Sequence, residues 1–386
     1  MRICIIYDCL FPWTVGGAER WYRALAERLA AQGHDVTYVT QRQWDDHDAP
    51  ALPGVRVVAV TPRMALYYEG KRRIAPPLRF GLGVFGHLLR HGRRYDHVHL
   101  ASFPYFSLLA AGVLRPLGRY SLGVDWHEVW SADYWREYLG AAGRIGWWVQ
   151  RLCAALPQRA FAFSRLHRDR LAGLGRDAML LTGEYAGGDK VSAAAGDPPT
   201  ILYAGRLIAE KRVDLLLDAF ALAHGDDPAL RLLIVGDGPE RERLAQRAAS
   251  LGIETAVTFA GFVPETTLDR LFAQATAIVQ PSAREGYGMV VVEAAAYGVP
   301  VVVVEAPDNA AVELVEPGSN GLVAAPTPAA LARTIAALRH DNPQWRARVA
   351  GWYAANRTQL SLDHSLRTVA GAIDGYGSLT APVPAD

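Results

Sequence analysis

Short apolar runs separated by polar, glycine-bearing stretches recur along most of the chain. Met1 to Tyr7, Thr200 to Ala204, Leu230 to Val235 and Val301 to Val304 are nearly unbroken, and Val36 to Thr40, Tyr95 to Leu100, Tyr120 to Trp126 and Arg159 to Arg165 are more mixed. Runs of this length without alternation predict strands buried on both faces, as in a parallel sheet. Longer amphipathic segments lie between them. One ends near Ala31 at Gly33-His34-Asp35, others start at Val213 and Glu240, and two more cover Ala329 to Arg339 and the residues after Pro343. Strand, glycine loop, helix and strand make a Rossmann-like βαβ unit. Periodicity fails from Ala186 to Pro199, a Gly/Ala/Pro-rich stretch, and then restarts. The pattern therefore predicts an α/β chain of two Rossmann-like domains, residues 1–185 and 200–350, joined by a linker at 186–199. A C-terminal helix follows at 351–372, with a frayed Pro/Gly-rich tail at 373–386.

Composition adds exclusions. A chain of 386 residues with 51% hydrophobic and 20% charged positions is long for one core and unlike a disordered protein. The net charge of +1 gives no argument for nucleic acid. Cys4, Cys9 and Cys153 lack metal or redox spacing, so free thiols in a reducing compartment are expected. Ile3 to Tyr7, stopped by Asp8, reads as a strand and not as a signal peptide. No apolar run reaches the ~18 residues of a membrane span, so a cytoplasmic protein is expected.

The chemistry centres on Pro281 to Val304, PSAREGYGMVVVEAAAYGVPVVVV. It reads as a loop, a helix from about Gly288, a stop at Gly298 with Pro300 beyond, and a buried strand. Glu285 sits at the helix mouth beside Gly286, Tyr287 and Gly288, where free backbone N–H groups favour an anion. Glu293 lies roughly 7–8 Å further along the helix. That separation is too large for a shared proton. It suits two carboxylates gripping hydroxyls at the ends of a ligand whose phosphates lie at the helix start, although two glutamates at this spacing are also common on helices. A second signal follows the strand ending at Ala204. Gly205-Arg206, with Lys211 five residues after the arginine, places two cations on one loop beside a helix start, as a diphosphate leaving group requires. The bland alternative is a surface ion pair with Glu210.

Glu285-Gly286-Tyr287-Gly288 followed by Glu293 resembles the E-x7-E signature of retaining GT-B glycosyltransferases, glycosyltransferase family 4, and Gly205-Arg206-Leu207 with Lys211 resembles that family's G-R-L-x-x-x-K element. The resemblance spans about residues 1–370. It implies two Rossmann-like domains facing across a cleft, with the last helix returning to the first domain. It also implies a nucleotide-diphosphate sugar as donor, a saccharide or lipid-linked hydroxyl as acceptor, and no metal or other cofactor. Glu285 would hold donor-sugar hydroxyls, Glu293 the ribose, Arg206 and Lys211 the diphosphate, and the backbone around Phe262 and Val263 the base. Gly16 and Gly17 resemble the loop that closes over the donor phosphates, with a plain helix-start turn as the alternative. His127, ending a central strand, resembles the histidine that faces the donor sugar. Glu128 beside it would orient His127 or the acceptor, and Ser164 matches the small polar residue ending the last strand of this domain.

Other polar clusters read more plainly. His97 and His99 read as ordinary strand residues, and Asp45-Asp46-His47-Asp48 as a solvated charge run. The basic stretch from Arg63 to Arg94 reads as a solvated face, or as a surface for anionic lipid or a phosphorylated acceptor. The aromatics of Trp130 to Trp148 read as helix packing, or as an amphipathic lid. A nucleotide-sugar epimerase or a non-catalytic sugar-binding protein would share parts of this pattern. An NAD-dependent oxidoreductase would need the G-x-G-x-x-G that the first loop lacks.

Overall fold

The computed structural model describes residues 1–14, 16–45, 47–64, 67–68, 71–72, 75–188, 190, 195–340 and 342–380. Asp46, Arg73 and parts of the 186–199 and 373–386 segments lie outside them, as do the side chains of Tyr67, Tyr68, Lys71 and Arg72. The chain divides into two compact units, Met1–Glu184 with Leu362–Asp386, and Tyr185–Ser361.

The first unit runs β1 (Arg2–Ile6), α1 (Gly17–Ala31), β2 (Asp35–Gln41), β3 (Val55–Thr61), the antiparallel pair β4 (Tyr67–Tyr68) and β5 (Lys71–Arg72), α2 (Ala75–His91), β6 (His97–Ala101), α3 (Tyr105–Gly118), β7 (Ser121–Trp126), α4 (Ala132–Leu139), α5 (Gly143–Ala155), β8 (Arg159–Ala162), α6 (Arg165–Gly173) and β9 (Ala178–Leu180). Its seven-stranded sheet has the order β3-β2-β1-β6-β7-β8-β9, parallel throughout. The strand order reverses at β1, so right-handed crossovers place α1 on one face and α2, α3 and α5 on the other. Edge strand β3 escapes the apolar-run reading because its side chains stay partly exposed and Arg56 interrupts it.

The second unit runs β10 (Thr200–Ala204), α7 (Val213–Asp226), β11 (Arg231–Val235), α8 (Arg241–Ser250), β12 (Val257–Gly261), α9 (Glu265–Gln274), β13 (Ala277–Gln280), β14 (Arg284–Glu285), α10 (Met289–Ala296), β15 (Val301–Val304), β16 (Asp308–Asn309), β17 (Gly321–Ala324), α11 (Pro328–His340) and α12 (Asn342–Leu360). The six-stranded sheet, β12-β11-β10-β13-β15-β17, is again parallel and buried between helices. A small parallel pair, β14 with β16, stands apart from it.

The chain leaves the second unit later than the pattern predicts, at Ser361 and not near residue 351. Buried Arg346 of α12 donates to the Ala275 carbonyl at 3.0 Å and the Ala273 carbonyl at 2.6 Å, satisfying groups left open at the end of α9. The following helix α13 (Leu362–Thr380) belongs to the first unit. There Ser365 Oγ accepts from the Gly183 amide at 3.0 Å, Arg159 donates to the Ala372 carbonyl at 2.7 Å, and Arg28 pairs with Asp363.

Candidate functional site

Parallel strands deliver their following loops to one edge of a sheet, where ligands of open α/β folds bind. At that edge of the second unit, Gly205-Arg206 follows β10, Gly236 follows β11, Phe262 follows β12, and Ser282 to Glu285 follow β13. Backbone bonds fix these loops to one another. The Gly205 amide donates to the Val235 carbonyl at 3.0 Å, Leu207 to Asp237 at 2.9 Å, and Gly236 to Gly261 at 2.8 Å. A side chain at Gly236, whose φ is +123°, would start 1.9 Å from the Gly205 carbonyl oxygen, so only glycine permits this approach.

Leu207 is fully buried and anchors the loop, while the Arg206 guanidinium stays exposed, in no ion pair among the described residues. The Tyr203 hydroxyl donates to the Arg206 carbonyl at 2.9 Å. Burial first, and then the Glu285 charge, raise the Tyr203 pKa and keep that phenol a donor.

Lys211 and Glu285, 74 residues apart in sequence, meet at 2.6 Å with side chains only 15% and 13% exposed. The same Glu285 oxygen accepts from Ser282 Oγ at 2.7 Å and Gln280 Nε2 at 3.1 Å. Glu210, the neighbour considered as a partner for the loop cations, instead binds Arg284 at 2.8 Å, and its carbonyl accepts from the Ala283 amide at 2.9 Å. Arg284 thus clamps the loop carrying Glu285 onto the loop carrying Lys211. Nothing in the local pattern marks it, because its partner arrives from a different βα connection.

Gly288 caps α10 with φ +106°, and a Cβ there would lie 2.5 Å from that of Ala311. This left-handed turn starts the helix one residue after buried Tyr287 and two after Gly286. Glu293 is half-buried within α10. Its charge adds to burial in raising the phenol pKa values of Tyr185 and Tyr297. The Phe262 ring is 80% exposed, whereas Val263 packs against the core of the unit.

In the first unit, Gly16 and Gly17 stand at the start of α1, where Gly16 is the extended capping residue. His127 follows β7 at the carboxyl edge of the sheet and is 26% exposed. Its ring stacks on Phe163 at 4.1 Å and meets Tyr22 of α1 edge-on at 6.0 Å. Nδ1 stands 3.7 Å from the Glu184 carboxylate, an ion-pair distance beyond that of a hydrogen bond. Burial pulls the His127 pKa down, but Glu184, with Asp125 and Glu128, outweighs it and holds it above the ordinary value.

Two expectations from the sequence, Glu128 as the partner of His127 and His99 as an ordinary strand residue, differ in the structure. The carboxylate facing the His127 ring is Glu184, while adjacent Glu128 accepts from the Trp130 indole at 2.6 Å. Successive residues point different ways, so the neighbour in sequence is not the neighbour in space. His99 is also more than an ordinary strand residue. It is fully buried and pairs with Asp125 at 3.0 Å, and the same Asp125 oxygen accepts from the Trp21 indole at 2.7 Å. His97 bonds Ser121 Oγ at 2.8 Å, and Ser164 caps α6 by accepting from the His167 amide at 3.3 Å.

Outside these sites, Asp45 pairs with Arg63 and Asp48 accepts from the Trp13 indole. Tyr134 and Trp135 are buried, and Gln150 ties Trp130 and Tyr105 together, so packing accounts for most of that aromatic run. Tyr138 and Trp148 remain exposed.

Glu184→Gln is expected to lower the midpoint of His127 protonation, read from imidazole NMR shifts against pH. A raised folded pKa stabilises the fold fully below the unfolded pKa, and that contribution is lost as pH rises through the folded value. The variant should therefore lose stability on the acidic side of that window and not above it. An unchanged midpoint would show that Glu184 is not the controlling charge.

Comparisons with known proteins fit both units. Residues 15–179 match the family described as Glycosyltransferase Family 4, and residues 189–354 match Glycosyl transferases group 1. A GDP-mannose-dependent alpha-mannosyltransferase of Mycolicibacterium smegmatis is 30% identical over 339 residues, 84% of each chain. Among solved structures, sucrose-phosphate synthase from Thermosynechococcus elongatus superposes with a TM-score of 0.79 at 20% identity, covering 98% of this chain and 100% of that one. Anabaena HepE in complex with UDP and glucose gives 0.70 at 20% identity, covering 97% and 100%.

Proposed function

The chain belongs to glycosyltransferase family 4, with the GT-B fold, and from that premise we propose that it moves a sugar, with retained anomeric configuration, from a nucleotide-diphosphate sugar to a hydroxyl of a saccharide or lipid-linked acceptor in envelope polysaccharide or glycolipid synthesis. One observation carries this reading. Two cations, Arg206 exposed and Lys211 held by Glu285, stand on the loop after β10, tied to the loop that opens α10.

A nucleoside diphosphate leaves with its charge concentrated on the β-phosphate. Arg206 and Lys211 would spread that charge, together with the amides at the start of α10, as a metal ion does in other transferases. The acceptor oxygen bonds to the anomeric carbon as the bond from that carbon to the diphosphate oxygen breaks. The electron pair leaves with the diphosphate, and the acceptor proton passes to a phosphate oxygen on the same face. No group of this chain then has to serve as a covalent nucleophile. Glu285 holds sugar hydroxyls, Glu293 the ribose, and the backbone at Phe262 and Val263 the base. In the first unit, His127 and the loop of Gly16 and Gly17 are the groups we assign to donor binding. A nucleotide-sugar donor is supported by the UDP and UDP-glucose bound to HepE, and by the GDP-mannose dependence of the mannosyltransferase.

The test is thermal stabilisation by UDP, GDP and ADP without added metal. One diphosphate at 100 times its Kd should stabilise the second unit by about 2.7 kcal/mol, and the one that does so names the nucleotide. A cooperative melt unmoved by all three would overturn the diphosphate site.

A further inference from the structure

The face of the first unit formed by α2, α3 and α5 is apolar in a way its core does not use. On α2, Phe80, Val84 and Leu88 point into the core, while Leu78, Leu82, Phe85 and Leu89 are 38–65% exposed. The outer set repeats at four, three and four residues, a second stripe on the opposite side of the same helix. The core accounts for the first stripe and leaves the second in solvent. On α5 the exposed set is Ile145, Trp148 and Leu152, at 69%, 64% and 56%. Between these helices α3 exposes Val113 and Leu117. Nine of the thirteen large apolar side chains exposed among the described residues lie on these three helices.

Charge identifies the occupant. Residues 75–94, 105–119 and 143–155 contain arginines (Arg79, Arg90, Arg115, Arg119, Arg144 and Arg151 among them) and not one Asp or Glu, in a protein whose net charge is only +1. Most of these arginines are exposed, and the Arg151 guanidinium lies 5.2 Å from the Trp148 ring centroid. Two copies meeting through this face would bring arginine against arginine. An apolar interior under an anionic surface matches both features at once, with Leu, Phe and Trp at the acyl boundary and arginine at the headgroups. No helix among the described residues is long and apolar enough to cross a membrane.

We propose that the outer face of α2, α3 and α5 docks the protein on an anionic lipid surface. The proposal does not rest on the transfer reaction, because binding to vesicles is read without donor or acceptor.

The experiment is flotation of the full chain with phosphatidylcholine vesicles, with and without phosphatidylglycerol, at low and high salt. The expected result is flotation with the anionic vesicles at low salt, at least tenfold weaker with phosphatidylcholine alone and weakened by salt. Each exposed arginine changed to glutamine should weaken it roughly fivefold. Leu82→Glu with Trp148→Glu should abolish it at an unchanged melting temperature, since both side chains are already in solvent. Absence of flotation with anionic vesicles would overturn the proposal, as would flotation unchanged in the double variant. A concentration-dependent dimer lost in that variant would assign the face to a second copy and also overturn it.

Discussion

Lys211→Ala is expected to lower kcat by about 10²–10³-fold with little change in KM for the nucleotide sugar. Nζ is 2.6 Å from Glu285, in a pair only 15% and 13% exposed, so its charge acts through little screening water. In the ground state the diphosphate carries its charge spread along an ester. As the bond to the anomeric carbon breaks, charge grows on the oxygen nearest that carbon, and a cation there gains most of its interaction in the transition state. Removing such a group costs turnover rather than binding. Arg206→Ala should behave likewise. Glu285→Gln should lose turnover and keep nucleotide affinity, since the neutral amide removes the charge that pairs with Lys211. Because Lys211 and Glu285 are in contact, the double variant should fall short of the sum of the single losses. Steady-state kinetics, with thermal melts to confirm folding, checks each point. A Lys211→Ala enzyme with normal kcat and raised KM would assign the lysine to ground-state binding alone.

The parts of this molecule that a sequence exposes are those where one element decides the outcome. Val301 to Val304 is fully buried in a parallel sheet, and a strand covered on both faces has no polar positions to interrupt its run. Gly288 announces its helix because a left-handed turn against Ala311 excludes side chains. Arg206, Lys211, Glu285 and Glu293 stand out in the sequence by residue type and spacing, and of these the structure joins Lys211 to Glu285. What stays hidden is pairing across crossovers. Glu184 faces His127 from 57 residues away, and Arg284 reaches Glu210 from 74. Asp125, His99 and Trp21 meet only because α1 starts beside the strands carrying the other two. The exit of α12 at Ser361 is hidden for a related reason, since neither Gly nor Pro separates it from α13 and it is tertiary contacts, among them Arg346 and Asn342 on carbonyls after α9 and Trp345 in the core, that hold it in the second unit.

Both units hold a charged group beneath a loop at the carboxyl edge, with different exposure. Lys211 and Glu285 keep some contact with solvent, as the proposed exchange of partners with a donor would require. Asp125 and His99 are fully buried and touch no solvent, which fits a fixed brace under His127 and the start of α1. The aspect of Tyr22 supports this, since its ring meets both His99 and His127.

Asp125→Ala is accordingly expected to destabilise the first unit by about 2–4 kcal/mol, the cost of leaving buried polar groups without the carboxylate they face. The substitution leaves the His99 imidazole and the Trp21 indole, both buried, without the carboxylate they face. Asp125→Asn should cost less, because an amide oxygen still accepts from the indole. The pH dependence follows from the ionised state. Burial pushes the Asp125 pKa up, but His99, His127 and the Trp21 hydrogen bond outweigh it and leave the pKa below the ordinary value. A depressed carboxyl pKa stabilises the fold above the unfolded value of about 3.9, and that contribution is lost as pH falls through the folded value. Denaturant unfolding of the wild type and Asp125→Ala at a series of pH values should thus show a wide gap at neutral pH that narrows in acid, below about pH 4. A gap that stayed constant through the acid range would show that Asp125 acts by shape and hydrogen bonding alone, with no ionised carboxylate in the buried cluster.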